Sequence, residues 1–383
     1  MKILILSCNT GEGHNSAGKA VMEAALLRGH EVEFMDLMLL GGKTVSHMVG
    51  GAYISIVRHI PAFFSLLYKV GGLISSSTRK SPVYYANSLL AGRLDRYIKE
   101  HSFDLILTPH LYAAEVLTCL KHRGLLSVPV IAIGTDYTCI PFWEETDCEY
   151  YVIPHEDLIE EFVKRGIPRE KLLPWGIPVR QSFMKQWNKK EARKICHIPQ
   201  NNKSYLVMGG SMGFGKIQIF VLELARRMEA DENMVVICGN NKKLEKLLKR
   251  ELVHRKNVKV LGYTDQVAAY MAACDVIFTK PGGLSSTEAA MMRIPMVHTN
   301  PIPGCETKNV EFFQKHGMSI GKRSFVGQVR TGEKLLEREK LRAQMQEAQK
   351  KNSRPEAAER ICKLLEELTG NKENRIIDLE IIQ

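Results

Sequence analysis

Asp275-Val276-Ile277-Phe278-Thr279-Lys280-Pro281-Gly282-Gly283-Leu284-Ser285-Ser286-Thr287-Glu288 passes from an unbroken apolar run through a glycine turn into the start of a helix. Apolar runs without polar alternation mark strands covered on both faces, as in a parallel sheet flanked by helices. The turn aims a helix N-terminus beyond the strand's carboxyl end, where unpaired N–H groups and the helix dipole favour an anion. Ser285, Ser286 and Thr287 supply hydroxyls there, and Glu288, placed in the first helical turn, is a carboxylate able to take both hydroxyls of a ribose. A capped helix without function accounts for the serines but not for the pair Gly282-Gly283. The run reads as a metal-independent cradle for a nucleotide diphosphate.

Upstream the same rhythm recurs three times. The strand-like run 204–208 enters Gly209-Gly210-Ser211, 234–238 enters Gly239, and 257–261 enters Gly262-Tyr263. Four glycine-ended strands make a doubly wound domain over 202–353. Gly209, Gly210 and Ser211 would expose backbone N–H groups and a hydroxyl to an anion. Downstream, a proline-bounded turn at 301–304 feeds another helix, whose Glu306 and Asn309 could reach the hydroxyls of a hexose carried by the diphosphate.

The N-terminal half has its own series of strands, at 2–8, 31–36, 104–108, 129–133 and 149–153, alternating with helix-like stretches. This is a second doubly wound α/β domain, 1–182. Pro168, Pro174, Pro178 and Pro199 with Lys189-Lys190 mark a break, read as a linker over 183–201. Residues 354–383 read as a closing helix and tail.

After the first strand, Gly11-Glu12-Gly13-His14-Asn15 is read as a sharp turn presenting His14 and Asn15 at the next helix's N-terminus, on the sheet edge where ligands bind. A histidine there could act as general base on a hydroxyl acceptor; equally, it could cap the helix or bind a phosphate. Asp136, in Gly134-Thr135-Asp136-Tyr137, ends another strand and could orient or charge-stabilise His14, serve as the base itself, or cap the next segment. The spacing Gly13 to Gly18-Lys19 approaches a P-loop. Ala20, however, stands where a magnesium-binding hydroxyl is needed, and Lys19 falls inside the helix, which argues against an NTPase.

At 383 residues the chain exceeds one hydrophobic core, and its net charge of +11 favours an anionic partner. The charge is dispersed and follows no nucleic-acid-binding motif, so a nucleotide or an acidic membrane surface fits better than nucleic acid. Segment 42–92 breaks the rhythm by mixing aromatic and apolar residues with Arg58, His59, Lys69, Arg79 and Lys80. It reads either as a membrane-contacting insertion or as a helical insertion packed on its domain. Nine scattered cysteines without a CxxC pair read as reduced, mostly buried thiols of a cytosolic protein. The first strand leads into glycines rather than a cleavage site, and no apolar stretch is long enough to span a bilayer, so membrane contact is expected to be peripheral.

Together these motifs resemble those of the processive diacylglycerol glucosyltransferases of bacteria and the monogalactosyldiacylglycerol synthases of plastids, and more distantly the peptidoglycan N-acetylglucosaminyltransferase. The likeness rests on Gly11-Glu12-Gly13-His14-Asn15-Ser16-Ala17, Thr135-Asp136-Tyr137 with Trp143, Gly209-Gly210-Ser211, Lys280-Pro281-Gly282-Gly283 with Thr287-Glu288-Ala289, and Pro303-Gly304 with Glu306 and Asn309. It implies a GT-B fold of two Rossmann-like domains facing a cleft, with acceptor on the N-terminal domain and UDP-sugar on the C-terminal one. It further implies inversion at the anomeric carbon, no cofactor and no essential metal. His14, with Gly13 and Asn15, would lie on the acceptor side, Glu288 would bind ribose, Glu306 would contact the sugar, and Gly262-Tyr263 would meet uracil.

The chain departs from the pattern at Cys305, where relatives carry glutamine, and at Ile140, where many carry histidine. The implied activity is hexose transfer from a UDP-sugar to diacylglycerol at the inner face of the cell membrane. A polyprenyl-linked or non-lipid acceptor, a UDP-sugar epimerase and a non-enzymatic UDP-sugar sensor share parts of this pattern.

Overall fold

A computed structural model describes residues 1–8, 11–42, 80–209, 217–302 and 304–380, with the backbone alone for 371–380. Residues 43–79, which make up most of segment 42–92, lie outside the described residues, as do Gly210 and Ser211. The chain forms two compact units. One comprises Met1–Arg180 with Arg354–Gln383, and the other comprises Gln181–Ser353.

The first unit carries a six-stranded parallel sheet in the order β2-β1-β3-β4-β5-β6. Its strands are β1 (Lys2–Ser7), β2 (Glu31–Asp36), β3 (Leu105–Thr108), β4 (Val130–Ile133), β5 (Tyr150–Val152) and β6 (Leu172–Leu173). The apolar residues that announced β1, β3 and β4 are fully buried, and Ile3, Ile5, Leu105, Leu107, Ile131 and Ile133 share one core cluster. Helix α1 (Glu12–Leu27) covers one face of that core through Val21 and Ala25. Gly18 is a packing residue: a Cβ there would come within 2.8 Å of the Phe34 ring and 3.1 Å of Ile5.

The chain's closing helix, Ala357–Glu380, returns to this unit. It places Ile361, Cys362 and Leu365 in the same core, and Arg28 pairs with Glu359 and Glu366 at 2.9 and 2.6 Å.

The second unit has the sheet order β12-β11-β10-β7-β8-β9, again all parallel. Its strands are β7 (Lys203–Met208), β8 (Glu232–Ile237), β9 (Val258–Leu261), β10 (Val276–Thr279), β11 (Met296–His298) and β12 (Ile320–Gly321). Where the sequence suggests a linker over 183–201, the structure has a helix, Lys189–Cys196, whose N-cap Asn188 accepts from Lys190 and Glu191. Buried Arg193 ties that helix to the sheet by donating to Asp275 at 3.0 Å and to the carbonyls of Ala273 and Pro199. The prolines mark a real change of unit, but a charged side chain with fixed acceptors anchors the segment.

Among the described residues, no helix is long and apolar enough to cross a membrane. The nine cysteines are free, eight of them buried and Cys305 half-buried.

Candidate functional site

Strand order locates the ligand-binding edge in each unit. In the first sheet, β1 sits between β2 and β3, so the connection reverses at the carboxyl ends of β1 and β3. α1 begins there, and its residue His14 does not cap its own helix. Its Nδ1 lies 3.0 Å from the carbonyl oxygen of Pro109, at the exit of β3, and 2.9 Å from Thr135 Oγ, at the exit of β4. A carbonyl only accepts, so this bond requires the proton on Nδ1 and leaves the Nε2 lone pair available. Burial pushes the His14 pKa below its ordinary 6.5, against the charge of Asp136, which pulls it up. The ring is therefore neutral at pH 7.

His110 reinforces this arrangement. Its ring centroid is 4.6 Å from that of His14, edge-on, and burial holds its own pKa well below 6.5. Its Nδ1 accepts the Tyr112 N–H at 3.2 Å, capping α2 (Leu111–His122). Asn15 is fixed by the Ser7 hydroxyl, which donates to it at 2.7 Å. Glu161 holds the turn after Asp136 by accepting from Thr138 Oγ at 2.5 Å and from the Cys139 N–H at 2.9 Å.

Gly11, the N-cap of α1, is extended with φ 163°, and Gly13 lies inside the helix, while Asn9 and Thr10 before them lie outside the described residues. The sequence reading passed over Pro109 and His110, although Thr108-Pro109-His110 leaves β3 just as the glycine segment leaves β1.

In the second sheet the reversal falls between β7 and β10. A pocket opens there, lined by Val207, Gly209, Lys280, Thr299 and Asn300, with Ile217 and Phe220 behind. Helix α3 (Gly283–Met291) starts at the exit of β10 with Gly282 as its N-cap, which brings no side chain to cover the first-turn N–H groups. The mouth of α3 is thus built from backbone donors.

Two of the three hydroxyls expected there face elsewhere. Ser286 Oγ lies 3.0 Å from His298 Nε2, Ser319 Oγ holds the ring's other nitrogen at 3.0 Å, and Thr287 Oγ donates to the Gly283 carbonyl at 2.8 Å. His298 is buried, and its pKa falls to about 3. Only Ser285 among the three is partly exposed, and Glu288 lies in the second turn of α3, not the first.

Glu306 and Asn309 belong to α4 (Cys305–Lys315), and both converge on the β10 exit. Asn309 Nδ2 donates to the Pro281 carbonyl at 2.9 Å, and Glu306 pairs with Lys280 at 2.6 Å. Gly262 and Tyr263 follow β9 at the sheet's outer edge, away from this pocket's lining, and Tyr263 is exposed.

Comparison with known proteins agrees with this fold. Residues 14–179 match the monogalactosyldiacylglycerol (MGDG) synthase family, and residues 188–352 match the glycosyl transferases group 1 family. A processive diacylglycerol beta-glucosyltransferase of Staphylococcus carnosus is 27% identical over 322 residues, 83% of this chain and 80% of that protein. Among solved structures, MurG of Acinetobacter baumannii superposes with a TM-score of 0.63 at 15% identity, covering 96% of this chain and 99% of that one. The UDP-GlcNAc 2-epimerase of Neisseria meningitidis, bound to UDP-GlcNAc, gives 0.63 at 16% identity over 95% and 99%. The chain therefore has the GT-B fold of these structures and, in its motifs and over most of its length, resembles the monogalactosyldiacylglycerol synthase and processive diacylglycerol glucosyltransferase family.

Proposed function

We propose that this chain transfers a hexose from a UDP-sugar to the hydroxyl of diacylglycerol, with inversion, giving a β-glycolipid at the inner face of the membrane. The observation that carries the reading is His14, a neutral imidazole whose Nδ1 is engaged by Pro109 and whose Nε2 is left as the basic nitrogen, at the ligand edge of the first sheet. His14 Nε2 takes the proton of the acceptor hydroxyl as its oxygen forms the bond to the anomeric carbon. The bond from that carbon to the diphosphate breaks, and UDP leaves with the electron pair. Asp136 stabilises the imidazolium that results.

In the second unit, the first-turn N–H groups of α3 face the phosphate charge that grows as UDP departs, a role that calls on no metal. Glu288 would take the ribose, and Gly209 with Gly210 and Ser211 would add donors to the diphosphate. The name of the Staphylococcus carnosus relative supports diacylglycerol as acceptor.

The test is to incubate the protein with UDP-glucose or UDP-galactose and diacylglycerol in anionic vesicles. A lipid-linked hexose appearing with stoichiometric UDP is expected. UDP release no faster than in vesicles without diacylglycerol would contradict the reading.

A further inference from the structure

An ion pair rests at the mouth of α3. Lys280 Nζ lies 2.6 Å from Glu306 Oε1, and the backbone N–H of Ile302 donates to Glu306 Oε2 at 2.8 Å. The lysine side chain is 20% exposed and the carboxylate 6%, so the pair is largely shielded from bulk solvent. A Cβ built on Gly282 would stand 3.9 Å from Lys280 Cε and 4.0 Å from Glu306 Oε1. The pair therefore lies against the N-cap residue of the very helix whose donors await an anion. Lys280 also lines the adjoining pocket with Gly209, Thr299 and Asn300.

A carboxylate beside a helix N-terminus takes up the favourable potential that a phosphate would use. Lysine is a compact charge on a flexible four-carbon stem, able to change partner without moving the backbone. Glu306 is less free, since one of its oxygens is fixed by a backbone donor.

We propose that Lys280 is an exchange residue: as the donor binds, its ammonium leaves Glu306 for the diphosphate, and the released carboxylate accepts hydroxyls of the hexose. This inference rests on the second unit being the UDP-sugar site. It couples the two halves of the donor. UDP alone must break the ion pair and leaves Glu306 with no new partner, whereas a UDP-hexose repairs both ends. The pair thus selects the intact donor over the product.

The test is a double-mutant cycle read by calorimetric binding of UDP, UDP-glucose and UDP-galactose. Glu306→Gln should tighten UDP by about threefold to tenfold, because Lys280 no longer has to leave a carboxylate, while weakening the UDP-hexose that the wild type binds. Lys280→Met should weaken UDP about tenfold or more, and in that background Glu306→Gln should bring no gain. Should Glu306→Gln not fold, Glu306→Met carries the same comparison.

A UDP affinity that is unchanged or lower in Glu306→Gln overturns the exchange, as does a gain that persists without Lys280, which would mean simple repulsion. Those results leave the UDP-sugar reading standing. A wild-type protein that binds no UDP removes both.

Discussion

His14 Nδ1 stands 3.0 Å from the carbonyl oxygen of Pro109, a bond that places the ring proton on Nδ1 and leaves Nε2 as the basic nitrogen. The same nitrogen meets Thr135 at 2.9 Å, so the ring is oriented from the exits of two different strands. That arrangement makes the pH dependence of turnover informative.

With His14 as base, kcat/KM falls as pH drops through its pKa, which lies below 6.5 because burial outweighs the pull of Asp136. Removing the Asp136 charge lowers that pKa further. The acidic limb of Asp136→Asn is therefore expected to move to lower pH, with turnover reduced but retained. Abolished turnover at every pH would instead make Asp136 the base.

Asn309 is fully buried and holds the Pro281 carbonyl at 2.9 Å, so it pins the turn that opens α3. Asn309→Ala leaves that carbonyl unpaired, at a cost of about 1–3 kcal/mol in urea denaturation. UDP affinity should fall with it, since the first-turn donors lose their fixed aim. Full UDP affinity in a destabilised variant would separate Asn309 from the donor site.

The depressed pKa of His298 has a definite sign for stability. The unfolded chain protonates this residue below about 6.5, while the folded chain resists until about 3, so stability drains away as pH falls across that window. Between pH 6.5 and 4 the loss from this residue is roughly 3 kcal/mol. His298→Gln should narrow its stability gap to the wild type at pH 4 relative to pH 7. A gap independent of pH would show that His298 is readily protonated in the fold.

Glu115 carries the opposite sign. Its side chain is fully buried, Asn87 donates to one oxygen at 2.5 Å, the other has no hydrogen-bond partner among the described residues, and burial lifts its pKa to about 8. Unfolded, it ionises above about 4.5, so the folded state loses stability as pH rises from there to 8. Glu115→Gln should therefore be more stable than the wild type by roughly 2–4 kcal/mol at pH 8, and by much less at pH 5. Equal denaturation midpoints at pH 8 would contradict a protonated Glu115.

Much of this architecture was legible because long apolar runs have few alternatives. Every strand read from a run of five or more residues is present, within two residues at each end. The strands that escaped notice are short: Leu172–Leu173 and Ile320–Gly321 have two residues each, and Met296–His298 has three, too few to show a period. The sites divide in the same way. Position after a strand located His14, Asp136, Gly209 and Gly282, because the sheet edge follows from order along the chain.

Side-chain direction did not follow. Ser286 and Thr287 share the helix start with Ser285, yet the helical turn rotates their hydroxyls onto His298 and the Gly283 carbonyl. His110 was hidden because its meaning comes from β3 lying beside β1, a pairing of residues a hundred positions apart.

If His14 activates a lipid hydroxyl while the second unit holds UDP, His14→Ala and the wild type differ in one of two readouts, diacylglycerol-dependent UDP release and UDP affinity. A loss of turnover of at least about a hundredfold is expected, with the UDP dissociation constant unchanged. Equal loss of turnover and UDP affinity, or release that ignores diacylglycerol in the wild type, would contradict it.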